Sequence, residues 1–253
     1  MLFIRYVFFR DLKEAWFSIF YIEKTQMKFF ILILILSFFH QSRSEYKLVW
    51  SDEFNGNSLD TSVWNYDTGD QWYNNELQGY TPKNVYVENG NLRIEARREA
   101  YMSKSYTSGR INSMHKKYFT YGRFEARMKF PTGKGFWPAF WLWPESWIES
   151  SYREIDIMEA VGHEQKNVYS TCWFGTASNA KSLSKGFTLS QNYDLDYHVY
   201  GADWKPGQID FTVDGSVFFS CKKSAASVWD FDNLSTAKFH IILNLAVGGD
   251  WPG

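Results

Sequence analysis

Beyond residue 45, apolar and polar residues alternate with a period of two through most of the chain. Val85 and Val87 precede Glu88-Asn89-Gly90-Asn91, after which Leu92, Ile94 and Ala96 alternate with Arg93, Glu95 and Arg97. Two such runs around an Asn-Gly pair predict a hairpin, because that pair accepts the left-handed backbone of a tight turn. Phe124, Ala126, Met128 and Phe130 alternate with Arg123, Glu125, Arg127 and Lys129, and Ile209, Phe211 and Val213 repeat the pattern between Lys205-Pro206-Gly207 and Asp214-Gly215. Residues 238–247 are apolar enough for a strand buried on both faces. Helical periodicity is scarce after residue 45, apart from a short turn around residues 224–229. Short strands punctuated by Gly and Asn predict an all-β sandwich of one domain, without internal repeat or linker.

One strand carries three acids. In Glu154-Ile155-Asp156-Ile157-Met158-Glu159-Ala160, strict alternation puts Glu154 and Asp156 on one face and Ile155 and Ile157 on the other, which leaves Glu159 facing the wrong way. A β-bulge taking up Met158 returns Glu159 to the face of the other two acids. The outer glutamates then stand about four strand steps apart, on the order of 13 Å between Cα atoms. Leaning toward each other, their carboxyl groups approach the roughly 5 to 5.5 Å used by retaining glycosidases. Acids on a strand are also commonly a solvated face, so the spacing needs company.

Aromatic residues supply that company. In Phe136-Trp137-Pro138-Ala139-Phe140-Trp141-Leu142-Trp143, an extended chain sends Trp137, Trp141 and Trp143 to one face and Phe136, Phe140 and Leu142 to the other. One set can fill a core while the second lines a groove, where flat indole rings with an N–H donor suit the faces and hydroxyl rims of sugars. The alternative is that all are core residues. Trp72-Tyr73-Asn74-Asn75-Glu76-Leu77-Gln78 adds amides able to hold sugar hydroxyls.

Composition narrows the classes. The chain has 253 residues, 45% hydrophobic and 22% charged, with net charge −1, which suits a soluble globular domain and gives no electrostatic reason to expect nucleic acid or anionic lipid. Cys172 and Cys221 are the only cysteines, with no C-x-x-C pair or metal-like His spacing; one disulfide or two buried thiols are both open. Met27-Lys28, the apolar run of residues 29–39 and a polar stretch ending Ser42-Arg43-Ser44 have the layout of a secretory signal, shorter than the roughly 18 apolar residues of a membrane span. The rival for that run is a signal anchor or a buried helix. The expected organisation is an upstream extension or gene-model artefact at 1–26, a signal peptide at 27–44 and a catalytic domain at 45–253. Asn233-Leu234-Ser235 is an N-glycosylation acceptor pattern.

The acidic stretch and Gly135-Phe136-Trp137-Pro138-Ala139-Phe140-Trp141 together resemble glycoside hydrolase family 16, in particular its laminarinase-like β-1,3-glucanases. Leu48-Val49-Trp50-Ser51-Asp52-Glu53-Phe54, Asn74-Asn75-Glu76-Leu77-Gln78, Thr107-Ser108-Gly109-Arg110-Ile111 and residues 244–253 fit in the same order. The resemblance implies a concanavalin A-like β-jelly roll with a concave cleft and endo-acting hydrolysis of β-glucans such as laminarin with retention. Glu154 matches the nucleophile, Glu159 the acid/base and Asp156 the acid between them; Trp137, Asn75, Arg110 and Trp141 match carbohydrate contacts. No cofactor is implied for catalysis, and Glu53 with the Gly90 backbone matches part of a structural calcium site. The expected partner is a polysaccharide, not nucleic acid or, after signal cleavage, a membrane, and the expected state is a secreted monomer.

Two departures accompany the resemblance. Ser170-Thr171-Cys172-Trp173-Phe174 stands where a Thr-Val-His-Trp-like segment is usual, so a histidine expected near the cleft is absent. The final strand of the family is also missing after Gly253, which predicts a sheet with an open edge. The alternatives are a non-catalytic glucan-recognition protein on the same fold, whose kind typically lacks the acids, and another specificity such as mixed-linkage glucan or galactan.

Overall fold

A computed structural model of the chain describes residues 4–9, 46–147, 149–222 and 237–253. The signal-like run, the turn at 224–229 and the glycosylation pattern lie outside the described residues. Two antiparallel sheets face each other. The seven-stranded sheet runs β13 (Asn179–Thr188), β12 (Asn167–Thr176), β11 (Tyr152–Glu159), β10 (Phe136–Pro144), β17 (Phe239–Val247), β8 (Arg110–Asn112) and β3 (Asn65–Tyr66). The six-stranded sheet runs β16 (Ser216–Lys222), β15 (Gln208–Val213), β14 (His198–Lys205), β9 (Gly122–Met128), β1 (Ile4–Phe9) and β2 (Tyr46–Asp52). Two small pairs complete the fold, the parallel β4 (Gln78–Tyr80) and β7 (Tyr106–Ser108), and the hairpin β5 (Val85–Glu88) and β6 (Asn91–Ile94). The hairpin turns at Asn89 and Gly90, both at positive φ, as the Asn-Gly pair predicts.

The core forms where alternate residues of the two sheets meet. Phe124 and Ala126 of β9, Trp204 of β14 and Phe211 of β15 meet Phe140 and Leu142 of β10, Ile155 of β11 and Ile241 and Leu243 of β17 in one buried cluster. Burying each large apolar side chain of this kind contributes roughly 1.5–3 kcal/mol. β17 is buried on both faces because its other side, carrying His240, Ile242 and Asn244, forms the floor of a cleft.

Two placements matter here. Ile4–Phe9, from the stretch read as an upstream extension, lies between β2 and β9, antiparallel to both, with Ile4 opposite Asp52 on one side and Ala126 on the other, and β2 is the outermost strand of its sheet. Unpaired strand edges are templates for any strand-competent segment, and here the facing edges of β2 and β9 take one. Cys172, standing where the histidine was expected, faces the core with no exposed surface. It is a free thiol in hydrogen-bond contact with the free, buried thiol of Cys221 from the opposite sheet. Position 172 points away from the cleft, so the departure there leaves the cleft unaltered.

Candidate active site

The three acids reach one surface because β11 is irregular. Trp141 of β10 pairs with Asp156 and Phe140 with Met158, so Ile157 has no residue opposite it; on the other side Asp156 pairs with Thr171 and Glu159 with Tyr169. The expected bulge is present, but the extra residue opposite β10 is Ile157, while Met158 keeps a partner. Ile157 and Met158 are both buried, with 2% and 1% exposed. Two consecutive side chains therefore face the core, and Glu154, Asp156 and Glu159 all line the cleft. The displaced carbonyl of Ile157 accepts a hydrogen bond from the Ser170 hydroxyl at 2.7 Å.

Low solvation and mutual charge set the protonation of the row. Burial, then the charge of Glu154, push the Glu159 carboxyl up to about 8, against a smaller opposing effect of the Trp137 indole N–H, which donates to Glu159 Oε1 at 3.0 Å. Burial also pushes Asp156 well above the usual carboxylate range, with the charges of Glu154 and Glu159 adding to it. The hydrogen bond between the two carboxyls is thus favoured with Asp156 as donor and Glu154 as acceptor. Glu154 is raised by burial but held back by hydrogen bonds from Tyr152 and Asp156 and by the charge of Arg110. The arrangement favours the protonated form of the middle acid, and ionisation at Glu154 over Glu159.

The cleft, about 740 Å³, is walled with indoles. Trp137, Trp141 and Trp143 all point into it, while Phe140 and Leu142 are buried behind them. Trp141 donates to Asn244 Oδ1 at 2.8 Å. Arg110 lies over the rings of Trp141 and Trp72, 4.9 and 5.1 Å from their centroids, and its Nε bonds Asp67 at 2.8 Å. Asn74 and Asn75 form a turn at positive φ, and the exposed Asn75 amide donates to Asp250 at 2.8 Å. Its neighbours Tyr73, Asn74 and Glu76 line the cleft.

A sequence profile of Glycosyl hydrolases family 16 matches residues 70–253. The chain belongs to this family. Relatives in sequence include Glucan endo-1,3-beta-glucosidase A1 of Niallia circulans, 38% identical over 237 residues that cover 81% of this chain and 34% of that protein. A Beta-glucanase of Rhodothermus marinus is 37% identical over 228 residues, covering 82% of this chain and 78% of that protein. Among solved structures, the endo-beta-1,3-glucanase from Pyrococcus furiosus superposes with a TM-score of 0.76 at 34% identity, over 83% of this chain and 88% of that one.

Within this family 16 cleft, two residues next to the acids escaped sequence reasoning. Tyr152 donates its hydroxyl to Glu154 Oε2 at 2.6 Å, and Trp173 donates its indole N–H to Asp156 Oδ2 at 2.9 Å. Tyr152 stands two residues before Glu154 on a strand, so period two alone could have placed it on the same face. Trp173 is found only once β12 is paired with β11, where it lies opposite Glu154.

Proposed function

We propose that this chain is a retaining endo-β-1,3-glucanase, acting on β-glucans such as laminarin through a covalent glycosyl-enzyme on Glu154 with Glu159 as acid/base. The observation that carries the reading is the row of three carboxyl groups on β11 inside an indole-lined cleft, and the upward push on Glu159, to about 8, suits an acid. In the first step a lone pair of Glu154 forms a bond to the anomeric carbon. The bonding pair to the glycosidic oxygen leaves with that oxygen, which takes the proton of Glu159. In the second step Glu159, now ionised, accepts a proton from water as the water oxygen attacks the anomeric carbon and the electron pair returns to Glu154. Trp137, Trp141 and Arg110 would hold the sugar rings by stacking and hydrogen bonding.

The presence of all three acids favours catalysis over simple glucan recognition. A reducing-end assay on laminarin with wild type and Glu154→Gln tests this: equal release of reducing ends by both proteins would remove the catalytic assignment. Lichenan, agarose and xyloglucan run alongside define specificity, and proton NMR of the first product tests retention.

Two peripheral readings accompany the main one. Export is supported by the basic start and short apolar run at residues 27–44. A structural calcium would be held by Glu53 and the Gly90 carbonyl, neither of which lines the cleft. Gly90 stands at φ +69 near the Asn55 side-chain oxygen, one oxygen of the kind a hard cation takes. Among the described residues no three His, Cys, Asp or Glu side chains gather as a metal site, so carbonyl and amide oxygens would supply much of the coordination. A fall in thermal stability on chelation would support that site.

A further inference from the structure

The geometry points to Tyr152 as a positioning residue for the nucleophile: its hydroxyl fixes Oε2 of Glu154 and takes up the negative charge that returns to that carboxyl when the sugar is released. The inference rests on the reading of Glu154 as nucleophile. It goes beyond that reading by assigning the release half of the cycle a dedicated donor.

Three observations carry it. The hydrogen bond from Tyr152 to Glu154 Oε2 is short, 2.6 Å, and both residues lie on the cleft face of β11. The ring is boxed edge-on by three tryptophans, with centroids 5.7 Å from Trp143, 5.5 Å from Trp147 and 6.2 Å from Trp173. A phenol held on three sides cannot swing away, so the donor is oriented before substrate arrives. Burial, then the neighbouring Glu154 charge, also push the phenol far above its ordinary range, so it remains a donor at any working pH.

The remaining groups around Glu154 do not duplicate this role. Asp156 on the same strand donates to Glu154 but loses that ability if its proton is lost; Arg110 of β8 acts through its charge. Glu159 on the same strand carries no donor aimed at Glu154 once it is ionised, and its own hydrogen bond is from Trp137.

The consequence differs between the two halves of the reaction. When Glu154 attacks, its carboxylate becomes a neutral ester and the bond from Tyr152 weakens. When water attacks, with its proton passing to Glu159, the electron pair of the C1–O bond returns to Glu154 and the bond strengthens. A donor that prefers the charged form therefore assists departure of the carboxylate and keeps free Glu154 ionised.

The test is Tyr152→Phe, which removes the hydroxyl and keeps the ring against its three tryptophans. Carboxyl-labelled glutamate, with Glu154→Gln identifying the signal, allows Glu154 to be titrated by carbon NMR without substrate. Its midpoint is expected to rise by about one pH unit in Tyr152→Phe, the loss of one charge-assisted hydrogen bond. The acid limb of kcat/KM is expected to move the same way. On an aryl β-glucan oligosaccharide, kcat should fall about tenfold with KM falling alongside, and a burst of aryl release should appear as the glycosyl-enzyme accumulates. Substituting 3-fluorotyrosine at position 152, a stronger donor of the same shape, should shift the midpoint downward and serves if the Phe variant folds poorly. An unchanged Glu154 titration in both variants overturns the proposal. A wild type that does not turn over glucan sinks the glucanase reading instead, while the NMR titration still decides whether Tyr152 controls Glu154.

Discussion

The hydroxyl of Ser170 on β12 donates to the carbonyl of Ile157 on β11 at 2.7 Å, inside the stretch where the register of the two strands shifts. The bond braces the irregular stretch that brings Glu159 to the same surface as Glu154. Ser170 is 1% exposed, so no water reaches the carbonyl if the hydroxyl is lost. Ser170→Ala is expected to cost about 1–3 kcal/mol of stability, the penalty of an unsatisfied buried acceptor. Thermal unfolding reads the stability loss. Laminarin kinetics should show kcat falling more than KM rises, because the carboxyl spacing relaxes; an unchanged melting temperature would show that the bulge is held by something else.

Glu159 gives a pH signature to activity. With its carboxyl pushed up to about 8, it is a protonated acid at neutral pH and loses its proton above that value, so glucan hydrolysis should fall as pH rises through 8. Glu159→Gln should lower activity on laminarin by about 10²–10⁴-fold, the usual contribution of a general acid. An activity that stays level from pH 7 to pH 10 contradicts the assignment.

The same shift affects stability. A carboxyl at 4.5 in the unfolded chain and near 8 in the fold binds more protons when folded between those values. Its contribution is therefore fully present below about pH 4.5 and is lost as pH rises through 8. Chemical denaturation across pH 5–9 should show a downward slope in stability that is shallower in Glu159→Gln. Equal slopes in the two proteins would show that Glu159 titrates normally.

Trp137 moves the alkaline limb. Its indole N–H donates to Glu159 and favours the ionised form, so Trp137→Phe should raise the Glu159 carboxyl further and carry the alkaline fall in activity to higher pH. KM should rise as well, since the larger ring is lost from the cleft wall. A limb that stays in place or moves to lower pH counts against the hydrogen bond.

The place between β2 and β9 needs an occupant. A chain of residues 45–253 lacks Ile4–Phe9 and bares the pairing edges of both neighbours. It should melt at a lower temperature than the full chain and self-associate as concentration rises, and a synthetic peptide of residues 1–12 should reverse both effects. Identical melting of the two chains, without association, would show that the place is closed by other means.

Much of this was legible along the chain. Period two, the Asn-Gly turn and the apolar run at 238–247 determined the strands and the sandwich, because side-chain alternation is a local property of extended backbone. The spacing of Glu154, Asp156 and Glu159 also forced the bulge, since no regular strand puts all three on one side. Other features depend on which strands are neighbours, which no local pattern encodes. Pairing of β12 with β11 brought Trp173 to Asp156 and Ser170 to Ile157. The turn at Asn74 and Asn75, both at positive φ, gave the Asn75 amide Asp250 as its partner. Packing of the two sheets sent Cys172 to Cys221 and not to the cleft. The carboxyl protonation states were likewise settled by the fold, because burial and charge proximity act through space, between groups that the sequence only sets in order.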